Sequence, residues 1–216
     1  MNVEQARSQM LGQQIRAWEV LDGRVLAVLR ETPRELFVPE AYGDLAFADM
    51  EVPLAHDQLM LTPKLEGRLL QALCLQSSDN VLEIGTGSGY LTACLAKLAK
   101  SVVSVDIFSD FTTGATAKLE QLKISNVESR TEDALAMRCL ERFDAIAITG
   151  SVPEIDDRFI SMLRPGGRLF VFVGRAPVME AQVITLHDTG GYSTDSLFES
   201  VVAPLVNAEH PEPFVL

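Results

Sequence analysis

The ten residues Val81-Leu82-Glu83-Ile84-Gly85-Thr86-Gly87-Ser88-Gly89-Tyr90 constrain the fold more than any other stretch of the chain. A buried-type apolar run, a turn with glycine at every second position and a helical pattern follow one another without a spacer, which is strand, tight turn and helix in succession. Glycine lets the backbone turn sharply and approach a ligand. The helix N-terminus that follows offers unpaired N–H groups to anionic or polar ligand atoms.

The pattern around this segment predicts what it belongs to. Short apolar runs at Asn80–Ile84, Ser101–Asp106, Phe143–Thr149 and Arg168–Val173 alternate with helical patterns at Tyr90–Ala99, Phe111–Leu122 and Asp156–Leu163. A shorter strand is expected at Val127–Arg130. Such alternation predicts an α/β fold, a parallel sheet with helices on both faces. Ala181–His187 and Leu197–Leu205 are joined by Asp188-Thr189-Gly190-Gly191 with no helix between them, so they are expected to form an antiparallel pair at the sheet edge.

Before Asn80 the texture differs. Met10, Gln14, Ile15 and Trp18 suit a first amphipathic helix; Asp22 caps a second, carrying Val25, Leu26, Val28 and Leu29 and stopped by Thr32-Pro33. Residues 34–61 read as a loop-rich connection with a short strand near Glu51–Leu54, and Thr62-Pro63 opens a third helix with Leu65, Leu69 and Leu73 on one face. At 216 residues one domain is expected, with residues 1–76 as helical cap and substrate loop and 77–216 as the binding core.

Composition narrows the partners. Eighteen Lys and Arg against thirty Asp and Glu give a net charge of −12, and the bases are scattered, which argues against nucleic acid. The N-terminus carries no apolar signal-like region and no apolar run approaches a membrane span, so a cytoplasmic protein is expected. Cys74, Cys94 and Cys139 are odd in number and widely spaced, so they read as small buried apolar residues. His56, His187 and His210 are too dispersed for a metal site, and none is expected. The Pro-rich tail 209–213 carries no readable role.

Two acids follow the strands beside the glycine turn. Asp106 closes Val102-Val103-Ser104-Val105, where a carboxylate can accept hydrogen bonds from both hydroxyls of a ribose. Asp133 lies beyond the next strand, within reach of the exocyclic amine of an adenine. A dinucleotide fingerprint would need glycine at 85, 87 and 90; position 90 is Tyr and the third glycine is at 89, so a nicotinamide-linked dehydrogenase is disfavoured.

Glycine turn, the two acids and the Leu163-Arg164-Pro165-Gly166-Gly167 turn together resemble the Rossmann-like methyltransferases that use S-adenosylmethionine. Closer still, the motifs Gln13–Trp18, Asp22–Leu26, Pro33–Glu40, Val81–Tyr90, Leu119-x-x-Leu122, Asn126-Val127, Gly166–Leu169 and Ala203–Leu205 are similar, in order and spacing, to protein-L-isoaspartate O-methyltransferases. The resemblance implies a repair enzyme that methylates isoaspartyl carboxylates and releases S-adenosylhomocysteine. It implies cofactor contacts at Glu83, Gly85, Thr86, Gly87, Gly89, Asp106, Ile107, Asp133 and Ala134, and a methyl-transfer site lined by Gln58, Leu61, Thr62 and Thr149. Isoaspartyl peptides or proteins, or a small-molecule acceptor, are the implied partners of a monomer or weak dimer.

One segment departs from the family. Where the pattern runs Gly-x-Gly-Gln-Thr-Ile-Ser-x-Pro, this chain reads Ala55-His56-Asp57-Gln58-Leu59-Met60-Leu61-Thr62-Pro63. Two hydroxyls become leucine and both glycines are lost, and Glu132-Asp133-Ala134 keeps the acid of a Gly-Asp-Gly without its glycines. The alternatives this leaves are a relative methylating another acceptor and a non-catalytic cofactor-binding protein.

Overall fold

The computed structural model describes residues 2–137 and 140–208, so the readings of Cys139, His210 and the tail 209–213 lie outside the described residues. The chain opens with α1 (Val3–Gln9), capped by the Asn2 side chain, which accepts the Glu4 N–H. The helical path widens to a π-turn over Met10–Ile15 and tightens to a 3₁₀ turn over Arg16–Trp18. The expected first helix is therefore present but irregular, with Met10 and Ile15 buried. Trp18 meets Phe198 edge-on at 5.9 Å, anchoring this segment to the sheet.

Asp22 accepts the Arg24 N–H and starts α2 (Gly23–Glu31); Thr62 starts α3 (Pro63–Leu73), on which Leu65, Leu69 and Leu73 are buried as their spacing predicts. Between these helices lies a two-stranded hairpin, β1 (Val52–Pro53) and β2 (Leu59–Met60), with Val52 opposite Met60.

The remainder builds one sheet. Its elements in chain order are β3 (Asn80–Ile84), α4 (Tyr90–Leu98), β4 (Ser101–Asp106), α5 (Ser109–Gln121), β5 (Val127–Thr131), β6 (Phe143–Val152), α6 (Asp157–Ser161), β7 (Leu163–Arg175), β8 (Val178–Leu186) and β9 (Tyr192–Glu199). In space the order is β5-β4-β3-β6-β7-β8-β9, parallel from β5 to β7, with β8 antiparallel to both its neighbours. The chain builds outward from β3 through β4 and β5, then returns to place β6 on the other side of β3. This reversal opens a crevice at the C-terminal ends of the central strands, the usual ligand position in such sheets.

Alternation along the strands supplies both faces of the core. In β6, Ala145 and Ala147 join the cluster with α3 and α4, while Ile146 and Ile148 join the one with α6; in β7, Phe170 and Phe172 divide from Leu169 and Val171 in the same way.

Three readings need correction. The last strand starts at Tyr192 and ends at Glu199, instead of spanning Leu197–Leu205. Gly190 and Gly191, at φ 83° and 78°, turn the chain so tightly that pairing begins at once, and the polar face of Tyr192–Asp195 hides the strand from an apolar count. The Leu163–Gly167 turn is absorbed into β7, although Gly166 keeps a turn-like φ of 77°. Cys74 is exposed, because it ends α3 in the left-handed region, whereas Cys94 is buried as expected. Among the described residues, no helix is long and apolar enough to cross a membrane.

Candidate functional site

A cavity with about 960 Å³ of free space, part of it open to solvent, occupies the crevice. Its floor is the turn after β3. Gly85, Gly87 and Gly89 have φ of 94°, 49° and 85°, the left-handed region where a side chain is strained. A Cβ on Gly85 would stand 2.1 Å from Thr149 Oγ1, and one on Gly89 2.7 Å from the Ala115 methyl of α5. Glycine at 85 thus admits the Thr149 hydroxyl, which lies 3.0 Å from the carbonyls of both Ile84 and Gly85 and donates to them.

The carboxylate of Asp106, at the end of β4, is held in position from both sides. Oδ2 accepts the Gly87 N–H at 2.9 Å and Oδ1 accepts the Phe108 N–H at 3.0 Å. Burial raises its pKa above the usual range, and these two N–H groups oppose that shift. Each oxygen keeps capacity to accept a further hydrogen bond, and Asp106 lines the cavity. Asp133 is engaged likewise, Oδ1 by the Leu135 N–H and Oδ2 by the Asn207 amide, both at 2.9 Å.

Of the residues expected to meet ligand, Gln58, Leu61, Gly85, Thr86, Gly87, Asp106, Ile107, Asp133, Ala134 and Thr149 line this cavity. Thr62, Glu83 and Gly89 do not. Thr62 Oγ1 accepts the Leu65 N–H, the helix-capping role its position also allowed. Gly89 serves the close approach of α4 to α5.

Glu83 lies beneath the turn. Its Oε2 accepts the hydroxyls of Thr92 at 2.5 Å and Ser104 at 2.6 Å, and Ser104 in turn lies 2.6 Å from the Thr86 hydroxyl. Its Oε1 is buried with no partner among the described residues. Full burial pushes the carboxyl up to about 8 against those two hydrogen bonds, so near neutrality it is largely protonated. The unfolded chain loses this proton near 4.5 and the folded chain near 8, so the stability is fully present below 4.5 and is lost as pH rises through 8. Glu83→Gln, neutral at every pH, is expected to remove that loss. Its Tm advantage over the parent should grow from pH 5 to pH 8.5 in thermal scans; a constant difference would place an ionised carboxylate there.

The opposite wall comes from β1, β2 and Leu61. Gln58 donates to the His56 carbonyl at 2.9 Å, and His56 and Asp57 take φ of 56° and 55° where the resembled family carries glycines at 55 and 57. The His56 ring stacks on Phe108 at 4.0 Å and bonds Asp110 at 3.0 Å, tying this loop to the start of α5. Nothing in the dispersed spacing of the histidines singles out His56; the aromatic pair Phe108 and Phe111 next to Asp106 is the available signal.

A second missed residue is Arg34, whose side chain is 1% exposed. Nε donates to the Ala46 carbonyl at 2.9 Å, Nη2 to the Leu61 carbonyl at 2.8 Å and Nη1 to Glu66, while the guanidinium lies 4.9 Å over the Tyr90 ring. Arg34 thus joins the Leu61 wall to the helix that follows the glycine turn. Tyr90 is a packing residue, edge-on to Phe37 at 5.6 Å.

The segment after β9 forms the last wall. Ser151 donates its N–H to the Ala203 carbonyl and accepts the Leu205 N–H, both at 2.9 Å, so Ala203–Val206 border the cavity.

Residues 5–210 match the family described as Protein-L-isoaspartate(D-aspartate) O-methyltransferase. A protein-L-isoaspartate O-methyltransferase of Rhodopseudomonas palustris is 37% identical over 210 residues, covering 94% of this chain and 96% of that one. A second, protein-L-isoaspartate O-methyltransferase 2 of Pelobacter propionicus, is 34% identical, covering 96% and 93%. In fold, the chain superposes with a TM-score of 0.81 and 20% identity on a Plasmodium falciparum protein assigned to the same methyltransferase, in complex with S-adenosyl-L-homocysteine; 95% of this chain and 98% of that one are covered. With the family model matching residues 5–210 and a 37% identical relative covered over 96% of its length, the chain belongs to the protein-L-isoaspartate(D-aspartate) O-methyltransferase family.

Proposed function

We propose that the protein is an S-adenosylmethionine-dependent methyltransferase that esterifies the side-chain carboxylate of isoaspartyl residues in damaged proteins. The observation that carries this reading is the Asp106 carboxylate, fixed by two backbone N–H groups and lining the cavity at the end of β4 beside the glycine turn. The residues fit that cofactor. Asp106 would take the ribose hydroxyls, Asp133 and Ala134 the adenine edge, and the Gly85–Gly87 backbone the amino-acid portion; Ile107 would pack beside the base.

When bound, S-adenosylmethionine supplies a methyl group made electrophilic by its sulfonium. An acceptor carboxylate is already ionised at neutral pH, so no side chain has to remove a proton, and the protein's work is alignment and exclusion of water. Alignment of this kind lowers barriers by about 7–11 kcal/mol in well-oriented intramolecular reactions. Leu54, Leu59 and Leu61 give the acceptor side an apolar lining. That lining favours a transfer in which a cation and an anion approach and lose charge together. Thr149 and Gln58 keep the facing backbone segments in place through their hydrogen bonds.

In this reading the partners are isoaspartyl-containing proteins, met in the cytoplasm by a monomer or weak dimer. The test is transfer of labelled methyl from S-adenosylmethionine to an isoaspartyl peptide beside its aspartyl twin. Labelling is expected on the isoaspartyl peptide alone; binding of S-adenosylhomocysteine with no labelling of either would refute the acceptor.

A further inference from the structure

The acceptor wall holds a carboxylate that the reaction does not use. Glu51 immediately precedes β1, and extending the Val52–Met60 pairing by one step sets it opposite Leu61. It is half-buried and lines the cavity. Every ionisable side chain among the described lining residues is acidic: Glu51, Glu66, Asp106, Glu132 and Asp133. Glu66 is paired with Arg34, and Asp106 and Asp133 accept hydrogen bonds. The Glu51 and Glu132 side chains have no hydrogen-bond or ion-pair partner among the described residues; Glu132 is exposed, next to Asp133, whereas Glu51 is half-buried on the acceptor wall and burial raises its pKa with nothing opposing.

Glu51 enters the cavity lining from the hairpin side and not from the glycine turn. Leu54 approaches that turn, its Cδ1 3.4 Å from where a Cβ on Gly87 would stand. Glu51 lies three residues before Leu54, about 10 Å from it along an extended segment. An unpaired carboxylate on this wall repels an anionic acceptor unless that acceptor brings a compensating charge.

We propose that Glu51 determines acceptor specificity by pairing with a cationic side chain next to the isoaspartyl residue, so that lysine- or arginine-flanked sites are the preferred substrates. This inference rests on the acceptor reading above. The test uses isoaspartyl peptides identical except for Lys, Gln or Glu beside the isoaspartyl residue, methylated by the parent and by Glu51→Gln, with calorimetry of S-adenosylhomocysteine on both proteins.

The parent is expected to favour the Lys peptide over the Glu peptide about tenfold in kcat/KM, chiefly through KM, and the ratio should shrink to about twofold in Glu51→Gln and at high salt. Cofactor affinity should be the same in both. Equal rates on the three peptides, or a preference that survives in Glu51→Gln, overturns the proposal alone. An altered S-adenosylhomocysteine affinity in Glu51→Gln also overturns it, by placing Glu51 on the donor. Cofactor binding with no methylation of any peptide overturns the acceptor reading and this proposal with it.

Discussion

Asp106→Ala is expected to raise the dissociation constant for S-adenosylhomocysteine about 100-fold while lowering Tm by no more than about 5 °C. Hydrogen bonds to a charged group contribute about 1.5–3 kcal/mol each, and the carboxylate is placed to accept from two ribose hydroxyls. Non-additivity within one bidentate contact brings the pair nearer 3 kcal/mol, which is the 100-fold. The structural cost is smaller. The Gly87 and Phe108 N–H groups released by the substitution lie beside an open cavity, where water can bond them. Asp106→Asn keeps an acceptor without its charge and should fall between, at about tenfold. Calorimetry with parallel thermal scans reads both quantities, and an unchanged affinity in the alanine variant would remove Asp106 from the cofactor.

What the sequence made legible follows from how far each interaction reaches. Asn80–Ile84 and Ser101–Asp106 have the bounds that the pattern predicts, because each apolar run ends at its own punctuation: glycine after Ile84, an acid at the end of β4. Asp22 and Thr62 cap their helices through neighbours two and three residues on, also a local matter. Strands β6 and β7 run beyond their apolar cores, since ladder pairing carries polar residues such as Ser151 into the sheet.

The site divides in the same way. The glycine turn and Asp106 declare themselves through a strand that ends beside them, whereas Arg34 reaches partners at positions 46, 61 and 66, and nothing in its own neighbourhood names them. Asn207 on Asp133, across 74 positions, was illegible for the same reason. The cofactor contact that the family resemblance implies for Glu83 is not what its neighbours give it. Strand alternation turns its side chain away from the cavity, into the hydroxyls of Thr92 and Ser104.

Arg34→Met is expected to destabilise the protein by about 3–5 kcal/mol, because it leaves Glu66, 2% exposed, without its counter-charge. Burial already pushes the Glu66 carboxyl up to about 7 against the pull of Arg34, so losing the arginine drives it further toward the neutral form. Two roles of Arg34 can then be separated. Arg34→Met with Glu66→Met replaces the pair by apolar side chains and should recover most of the stability, since a buried ion pair is rarely worth more than a well-packed apolar one. The carbonyls of Ala46 and Leu61 still lack the donors that fixed them, so the acceptor wall stays loose. The double variant is therefore expected to bind S-adenosylhomocysteine like the parent and to transfer methyl about tenfold more slowly. Denaturant unfolding and single-turnover kinetics on the four proteins of the cycle measure both effects. Recovery of stability and rate together would confine Arg34 to the fold, and recovery of stability without rate would make it the residue that positions the Leu61 wall.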